Sequence, residues 1–213
     1  MTSGLAHPER RKRAQNREDR LLEDVFKQIG VTNRVAVEIG AYDGEYCSNT
    51  ARFRRAGWTC HLFDAIARGP LVHEVRITTD NINSTLTEHG VPTRFDLLSI
   101  DIDGNDLWVW QALTFKPRVV VIEYNPKFGA AESRTVPNDP GRDWDLTDYY
   151  GASVRALWRL GKQKGYRLIR ATLSNLLFVV KREAPRNLLP EQIAIPRRIK
   201  RPDPLARPWV EYR

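Results

Sequence analysis

The chain has 213 residues, of which 41% are hydrophobic, so it is long enough for one α/β domain with a full hydrophobic core. No apolar run approaches the roughly 18–20 residues that a membrane-spanning helix requires, and the charged N-terminus is unlike a secretory signal. We therefore expect no membrane span. The cysteines, Cys47 and Cys60, have neither metal-motif nor disulfide-framework spacing, which predicts reduced thiols and a cytoplasmic location.

The formal net charge of +8 is concentrated at the two ends of the chain. Residues 1–20 carry six Lys and Arg against three acids, and residues 181–213 carry nine against four, so the segment between them is balanced. We therefore divide the chain into a basic tail (1–20), a folded domain (21–182) and a basic, proline-rich tail (183–213). Solvated tails are expected, and contact with nucleic acid or an anionic surface is the alternative.

Apolar runs alternate with amphipathic segments along the domain. The predicted helices span 16–29, 45–55, 81–89 and 153–164, with a further helix in which Leu107, Trp110 and Leu113 share one face; the predicted strands span 35–39, 59–63, 74–78, 96–102, 118–122, 166–172 and 175–181. Asp80 is expected to cap the helix 81–89. Two residues separate the last two strands, which permits an antiparallel hairpin and forbids a parallel crossover. The pattern predicts an α/β fold with a Rossmann-like, doubly wound, mostly parallel seven-stranded sheet and an antiparallel C-terminal hairpin.

Polar residues cluster where the predicted strands end. Ligands of such sheets bind beyond the carboxyl ends of the strands, and those ends hold residues 38–44, 64, 79–81, 101–106 and 123–125. The first turn, Glu38-x-Gly40-x-x-x-Gly44, lacks the close-set glycines of a dinucleotide-binding turn, which disfavours NAD and FAD. Its wider spacing suits an amino-acid carboxylate and a sulfonium. Asp64, after the second strand, can accept hydrogen bonds from both hydroxyls of a ribose.

Two segments carry a resemblance to a known family. F-D-L-L-S-I-D-I-D-G-N-D (95–106) and P-R-V-V-V-I-E-Y-N (117–125) are similar to the core motifs of FkbM-type enzymes, a group of class I S-adenosylmethionine-dependent methyltransferases. The resemblance covers roughly residues 33–181 and implies S-adenosylmethionine as the cofactor. It implies that the cofactor is bound by Glu38, Gly40 and Gly44 around the methionine moiety with Ala41 and Asp43 of the same turn, Asp64 at the ribose, Asp80 or Asn81 beside the adenine, and Asp101 near the amino group or the acceptor.

Methyl transfer to a hydroxyl requires a group that removes the proton of the acceptor, and carboxylates are the available bases near the predicted site. Asp101 and Glu123 are the candidate catalytic residues. Asp101 and Asp103 would face the same side of a continuing strand, so together they can hold Mg²⁺, which would lower the pKa of an acceptor hydroxyl. The alternative is that Asp103 forms the turn after the strand and caps the following helix.

The candidate acceptor-binding residues are Asp103, Tyr124, Asn125, Tyr149 and Tyr150. They adjoin two strand ends and the polar segment 127–150, whose length is typical of a functional loop. We expect O-methylation of a small molecule or saccharide. The alternatives are a glycosyltransferase that uses Asp101 and Asp103 as a nucleotide-sugar metal site, an RNA-binding or RNA-modifying methyltransferase that holds phosphates with its basic tails, and a fold that has lost catalysis.

Overall fold

The computed structural model describes residues 14, 17–196 and 200–213. Its helices are α1 (Glu18–Ile29), α2 (Ala51–Arg55), α3 (Ile82–Glu88), α4 (Asp106–Ala112) and α5 (Val154–Gln163), with a 3-10 turn at Pro190–Gln192. Its strands are β1 (Val35–Ile39), β2 (Thr59–Asp64), β3 (Val72–Glu74), β4 (Arg94–Ile100), β5 (Lys116–Glu123), β6 (Arg134–Thr135), β7 (Tyr166–Ala171), β8 (Asn175–Val180) and β9 (Val210–Glu211). No helix in this part of the chain is long and apolar enough to cross a membrane.

Seven of the strands form one sheet in the order β3-β2-β1-β4-β5-β8-β7. Neighbours from β3 to β5 are parallel, whereas β8 is antiparallel to both β5 and β7. The central strands β4 and β5 are buried at every position after the first, because helices cover both faces of the sheet. The predicted Rossmann-like, doubly wound fold with an antiparallel C-terminal hairpin is confirmed.

Each face of the sheet has its own apolar layer. On one face, Phe26 of α1 packs edge-on against Phe53 of α2 and Trp58, with ring centroids 5.7 and 5.1 Å away. The other face holds α3, α4 and α5, and Trp110 fills its centre without exposed surface. The apolar side of α1 therefore packs in the core. Its predicted first residue, Asn16, lies outside the described residues.

A buried carboxylate fixes the end of the sheet at which β1, β4 and β5 begin. Asp96, at the start of β4, accepts hydrogen bonds from the backbone N–H groups of Thr32, Asn33 and Arg34 at 2.8–3.1 Å. It also accepts one from Nη1 of Arg118 in β5 at 2.7 Å. Because one side chain binds the segments that begin β1, β4 and β5, the three central strands keep a common register at this end.

Two local predictions after β2 are wrong. β3 ends at Glu74, where the predicted strand 74–78 begins, because β2 itself ends at Asp64 and the later residues have no partner strand. Asp80 does not cap α3. Asn81 precedes the helix instead, and its side-chain oxygen accepts a hydrogen bond from the backbone N–H three residues earlier at 2.7 Å.

The described part of the C-terminal tail lies over the segment 127–150. β9 pairs with β6 of that segment, and the Tyr149 hydroxyl donates a hydrogen bond to the carbonyl of Pro208 at 2.6 Å. Trp209 packs against Phe128 and Tyr149, with ring centroids 4.6 and 4.8 Å apart. The described part of the tail therefore wraps over the domain, and the expectation of a solvated tail is wrong for these residues.

Candidate functional site

A cavity of about 630 Å³ lies at the carboxyl ends of β1, β2 and β4. The strand ends line one part of the cavity, and residues 139, 140, 142–144 and 146 of the long loop also line it. The predicted site residues that line the cavity are Glu38, Gly40, Asp64, Asp101 and Asp103. Three strand ends that are far apart in the sequence therefore border one space, which has the size of a small-molecule site.

The turn after β1 brings bare backbone against the end of β4. Gly40 has a φ of +86°, and a Cβ at this position would lie 1.7 Å from the carbonyl oxygen of Asp101. Only glycine fits both the conformation and the space. The N–H of Gly40 also donates a hydrogen bond to the carbonyl of Phe63 in β2 at 2.9 Å. Gly40 therefore lets the backbone after β4 lie directly against the turn, and Gly40 and Asp101 both line the cavity.

The carboxylate of Glu38 organises the loop that follows this turn. It is buried and accepts hydrogen bonds from Oγ of Ser48 at 2.6 Å, the backbone N–H of Asn49 at 2.8 Å and Oγ1 of Thr50 at 2.5 Å. Burial raises the pKa of Glu38, and these three donors act in the opposite direction. These donors hold residues 45–50 as a loop. The predicted helix 45–55 is therefore wrong in its first half, and only its second half, α2, is helical.

Asp64 presents a fixed carboxylate to the cavity at the end of β2. Its Oδ2 accepts a hydrogen bond from the backbone N–H of Tyr42 at 2.7 Å, and its Oδ1 accepts one from Ile66 at 3.0 Å. A carboxylate oxygen can accept two hydrogen bonds, so each oxygen keeps capacity for a ligand. Two such acceptors held at one strand end match the geometry of a vicinal diol, as in a ribose.

A cluster of three carboxylates lies beside Gly40. Ligand oxygens of Asp101, Asp103 and Glu123 all lie within 4.8 Å of one another. Burial raises the pKa of each group, and repulsion from neighbouring acids raises the pKa of Asp101 and of Glu123 further. The buried Oε2 of Glu123 has no hydrogen-bond partner among the residues that the structure describes. The cluster can therefore accept a proton or hold a cation.

Asp106 stabilises the turn between β4 and α4. Its Oδ1 accepts a hydrogen bond from the backbone N–H of Ile102 at 2.9 Å, and its Oδ2 accepts one from Gly104 at 3.0 Å. The first residue before α4 is Asn105, and no side-chain capping bond is made there. The alternative that Asp103 caps the helix is therefore wrong. Asp103 instead has a left-handed φ of 55° and lines the cavity.

The other predicted site residues lie outside the cavity wall: Ala41, Asp43, Gly44, Asp80, Asn81, Glu123, Tyr124, Asn125, Tyr149 and Tyr150. Asp43 accepts hydrogen bonds from the backbone N–H groups of Glu45 and Tyr46, which stabilises the turn after β1. The side-chain amide of Asn125 donates to the carbonyls of Asp148 and Tyr150. These two side chains shape the surroundings of the site, and the roles of the whole group toward a ligand stay predictions.

Several cavity residues are missed by the sequence analysis. Val75, Arg76 and Ile77 line the cavity three to five residues before Asp80, because β3 ends early and the chain then runs along the site. Arg142 and Trp144 of the long loop also line it. The one sequence signal for these two was the length of the loop, since only the folded chain shows which of its side chains point inward.

Comparisons with known proteins give distant similarities. No protein-family model and no curated protein matches the chain. Among solved structures, the chain is similar to the N-terminal domain of EvdMO1 with SAH bound, at 11% identity and a TM-score of 0.45 over 76% of this chain and 80% of that one. The same domain in the presence of SAH and D-fucose is similar at 12% identity and a TM-score of 0.46, over 78% of this chain and 82% of that one. A SAM dependent methyltransferase from Aquifex aeolicus is similar at 12% identity and a TM-score of 0.36, over 82% of this chain and 93% of that one.

Proposed function

We propose that the chain is a class I S-adenosylmethionine-dependent methyltransferase of the FkbM type that methylates a hydroxyl of a small molecule or saccharide. The observation that supports the proposal is the single cavity that Gly40, Asp64 and Asp101 border together. The reaction requires backbone that the cofactor can contact, a carboxylate that accepts hydrogen bonds from the ribose hydroxyls, and a base for the methyl acceptor. Each of these features comes from a different strand end.

The cavity wall offers a contact for each part of the cofactor. The backbone at Gly40 lines the cavity and contacts the amino-acid end of the molecule, and the oxygens of Asp64 accept hydrogen bonds from the ribose hydroxyls. Val75 and Ile77 supply apolar contacts for the adenine. No G-x-G-x-x-G turn follows β1, so a pyrophosphate-bearing dinucleotide lacks its usual binding turn.

The chemistry at the acceptor is assigned to the carboxylate cluster. S-adenosylmethionine supplies an electrophilic methyl group, and the chain must hold the acceptor oxygen in line with it and take the proton. We assign proton removal to Asp101, which lines the cavity and whose raised pKa makes it a stronger base than an ordinary aspartate. Glu123 adjoins Asp101, with oxygens of the two groups within 4.8 Å of each other, and is the second candidate base.

Two features support a second candidate, a nucleotide-sugar glycosyltransferase that uses Mg²⁺. Arg68, Arg76 and Arg142 line the cavity, and guanidinium groups bind phosphates. The oxygens of Asp101 and Asp103 are ligands that Mg²⁺ prefers. Mg²⁺ can also serve the methyltransferase by lowering the pKa of an acceptor hydroxyl. The two functions differ in the nucleoside that the cavity binds, which makes them separable by titration.

Calorimetric titration of the full chain with S-adenosylmethionine, S-adenosylhomocysteine and UDP-glucose, each with and without Mg²⁺, tests the proposal. We expect both adenosyl compounds to bind, and we expect Asp64→Ala to lower the affinity for each of them at least tenfold, about 1.4 kcal/mol. Asp24→Ala, which changes an exposed carboxylate on α1, is the matched control and should leave binding unchanged. Binding of UDP-glucose without binding of either adenosyl compound would contradict the methyltransferase proposal and support the glycosyltransferase.

A further inference from the structure

The side chain of Lys200 lies between two aromatic rings next to the cavity. Its Nζ is 3.9 Å from the ring centroid of Trp144 and 3.9 Å from that of Tyr150. The two ring centroids are 5.9 Å apart. An ammonium within about 6 Å of a ring face is attracted by its quadrupole, and two rings on one ammonium form an aromatic clamp. Trp144 also lines the cofactor cavity, so the clamp adjoins the proposed site of reaction.

Two members of the carboxylate cluster, Asp101 and Asp103, line the same cavity as Trp144, and an oxygen of Glu123 lies within 4.8 Å of theirs. The positive charge of Lys200 lowers the pKa of Asp101, of Asp103 and of Glu123, against the effect of burial on each. The three acids outnumber this one cation, and Oε2 of Glu123 has no hydrogen-bond partner among the described residues although Glu123 is only 7% exposed. We call the space between Trp144, Tyr150 and the three carboxylates the chamber. Its carboxylates can bind a further cationic group besides Lys200.

The backbone next to Lys200 is anchored independently of its side chain. Arg201 forms a parallel bridge with Thr147, and the carbonyl of Arg201 accepts a hydrogen bond from the backbone N–H of Asp148 at 2.8 Å. The backbone N–H of Asp203 donates to Oδ1 of Asp148 at 3.0 Å. Because these contacts hold the main chain, the ammonium of Lys200 can leave the chamber by side-chain rotation without detaching the tail.

We propose that Trp144, Tyr150 and the carboxylates of Asp101, Asp103 and Glu123 form an ammonium-binding subsite, that Lys200 is its internal occupant, and that the methyl acceptor binds there through a protonated amine. The last part rests on the proposed methyltransferase function. It narrows the acceptor to small molecules that carry an amine beside the hydroxyl, such as an amino sugar. Such an acceptor displaces the Lys200 side chain, so the tail excludes molecules that lack the positive group.

The chemistry of the chamber favours an organic cation over other occupants. Ring faces attract cations and offer no lone pair to a metal ion, so Mg²⁺ would find ligands only on the side of the carboxylates. An anionic acceptor would meet three carboxylates. A lysine side chain already shows that an ammonium on an alkyl stem has the right size and charge.

The test uses the full chain with Lys200→Ala, which leaves a space the size of n-propylammonium. We expect this probe to bind the variant at least tenfold more tightly than the wild type, about 1.4 kcal/mol, in calorimetric titrations at constant ionic strength. Neutral 1-propanol should not bind, and adding Trp144→Leu should weaken the probe about tenfold because the clamp is lost. Equal affinity of the variant and the wild type, or equal binding of 1-propanol, would overturn the proposal, as would Mg²⁺ binding more tightly than the probe.

A second measurement keeps the test decisive if Lys200→Ala does not fold. In the wild type, acetic anhydride should modify Lys200 more slowly than the exposed Lys27, and tetramethylammonium should remove that protection whereas equal NaCl should not. Unprotected Lys200, or protection that tetramethylammonium leaves unchanged, would contradict the proposal. S-adenosylhomocysteine titration of the same protein separates the two ideas: its binding without any ammonium effect refutes the subsite alone, and the reverse result refutes the methyltransferase alone.

Discussion

The substitution Glu38→Gln replaces one buried oxygen by an amide nitrogen at the end of β1. In the wild type, Oε2 accepts hydrogen bonds from Ser48 and Thr50, and Oε1 accepts one from the backbone N–H of Asn49. Oγ of Ser48 already accepts two backbone N–H groups, so it cannot turn to accept another from the new amide. Whichever way the glutamine is oriented, at least one buried donor loses its acceptor.

The expected cost follows from these contacts. An unsatisfied buried donor costs about 1–3 kcal/mol, and the remaining hydrogen bonds lose the strengthening that a charged acceptor provides. Removing a buried charge offsets part of this loss, because burial also raises the pKa of Glu38. We expect Glu38→Gln to lower the free energy of unfolding by about 2 kcal/mol. Since Ser48 and Asn49 line the cavity, the affinity for S-adenosylhomocysteine should fall as well.

Urea unfolding at neutral pH measures the change as a shift of the midpoint at constant slope. Glu45→Gln is the matched control, because Glu45 carries the same group in a more exposed pair with Arg54 and should cost no more than about 0.5–1 kcal/mol. If Glu38→Gln is as stable as Glu45→Gln and binds S-adenosylhomocysteine like the wild type, the Glu38 carboxylate does not organise the loop in the way described.

Three further predictions follow from single contacts. Asp96→Ala should destabilise the fold by about 3–5 kcal/mol in urea unfolding, because three backbone N–H groups and one N–H of the buried Arg118 guanidinium lose their acceptor, although Glu183 still pairs with Arg118; a loss under 1 kcal/mol would contradict that role. Gly40→Ala should abolish S-adenosylhomocysteine binding in calorimetry, since a Cβ would lie 1.7 Å from the carbonyl oxygen of Asp101, and unchanged affinity would be inconsistent with the turn. Burial, with repulsion from Lys116, lowers the pKa of Lys164 from 10.5 to about 8, so the unfolded chain binds more protons between these values. The free energy of unfolding of the wild type relative to Lys164→Met should therefore rise from pH 8 to pH 10.5 in urea unfolding. A difference between the two proteins that does not change with pH would contradict the lowered pKa of Lys164.

The parts of the fold and site that the sequence predicts are those set by local pattern. The apolar run of β1 ends in Glu38 and Gly40, and Asp64 directly ends β2, so residue order alone places these side chains at the rim. The parallel sheet then brings them together, since its strands share one direction. The seven-stranded arrangement follows in the same way from the alternation of strands and helices and from the short final hairpin.

The parts that the sequence does not predict depend on contacts between distant segments. Residues 45–50 are predicted as the first half of a helix, yet the buried carboxylate of Glu38 accepts hydrogen bonds from Ser48, Asn49 and Thr50 and holds this segment as a loop. Lys200 is one of many basic residues in the tail. Its place between Trp144 and Tyr150 depends on the bridge of the tail to the long loop, which no local pattern indicates.

A crystal structure of the chain with S-adenosylhomocysteine tests the central claim most directly. The account predicts that the ribose hydroxyls lie within hydrogen-bond distance of the Asp64 oxygens, that the amino-acid end lies against the backbone of Gly40, and that the sulfur faces Asp101. A ligand bound elsewhere, or a cavity filled by side chains with Asp64 turned away from it, would contradict the account.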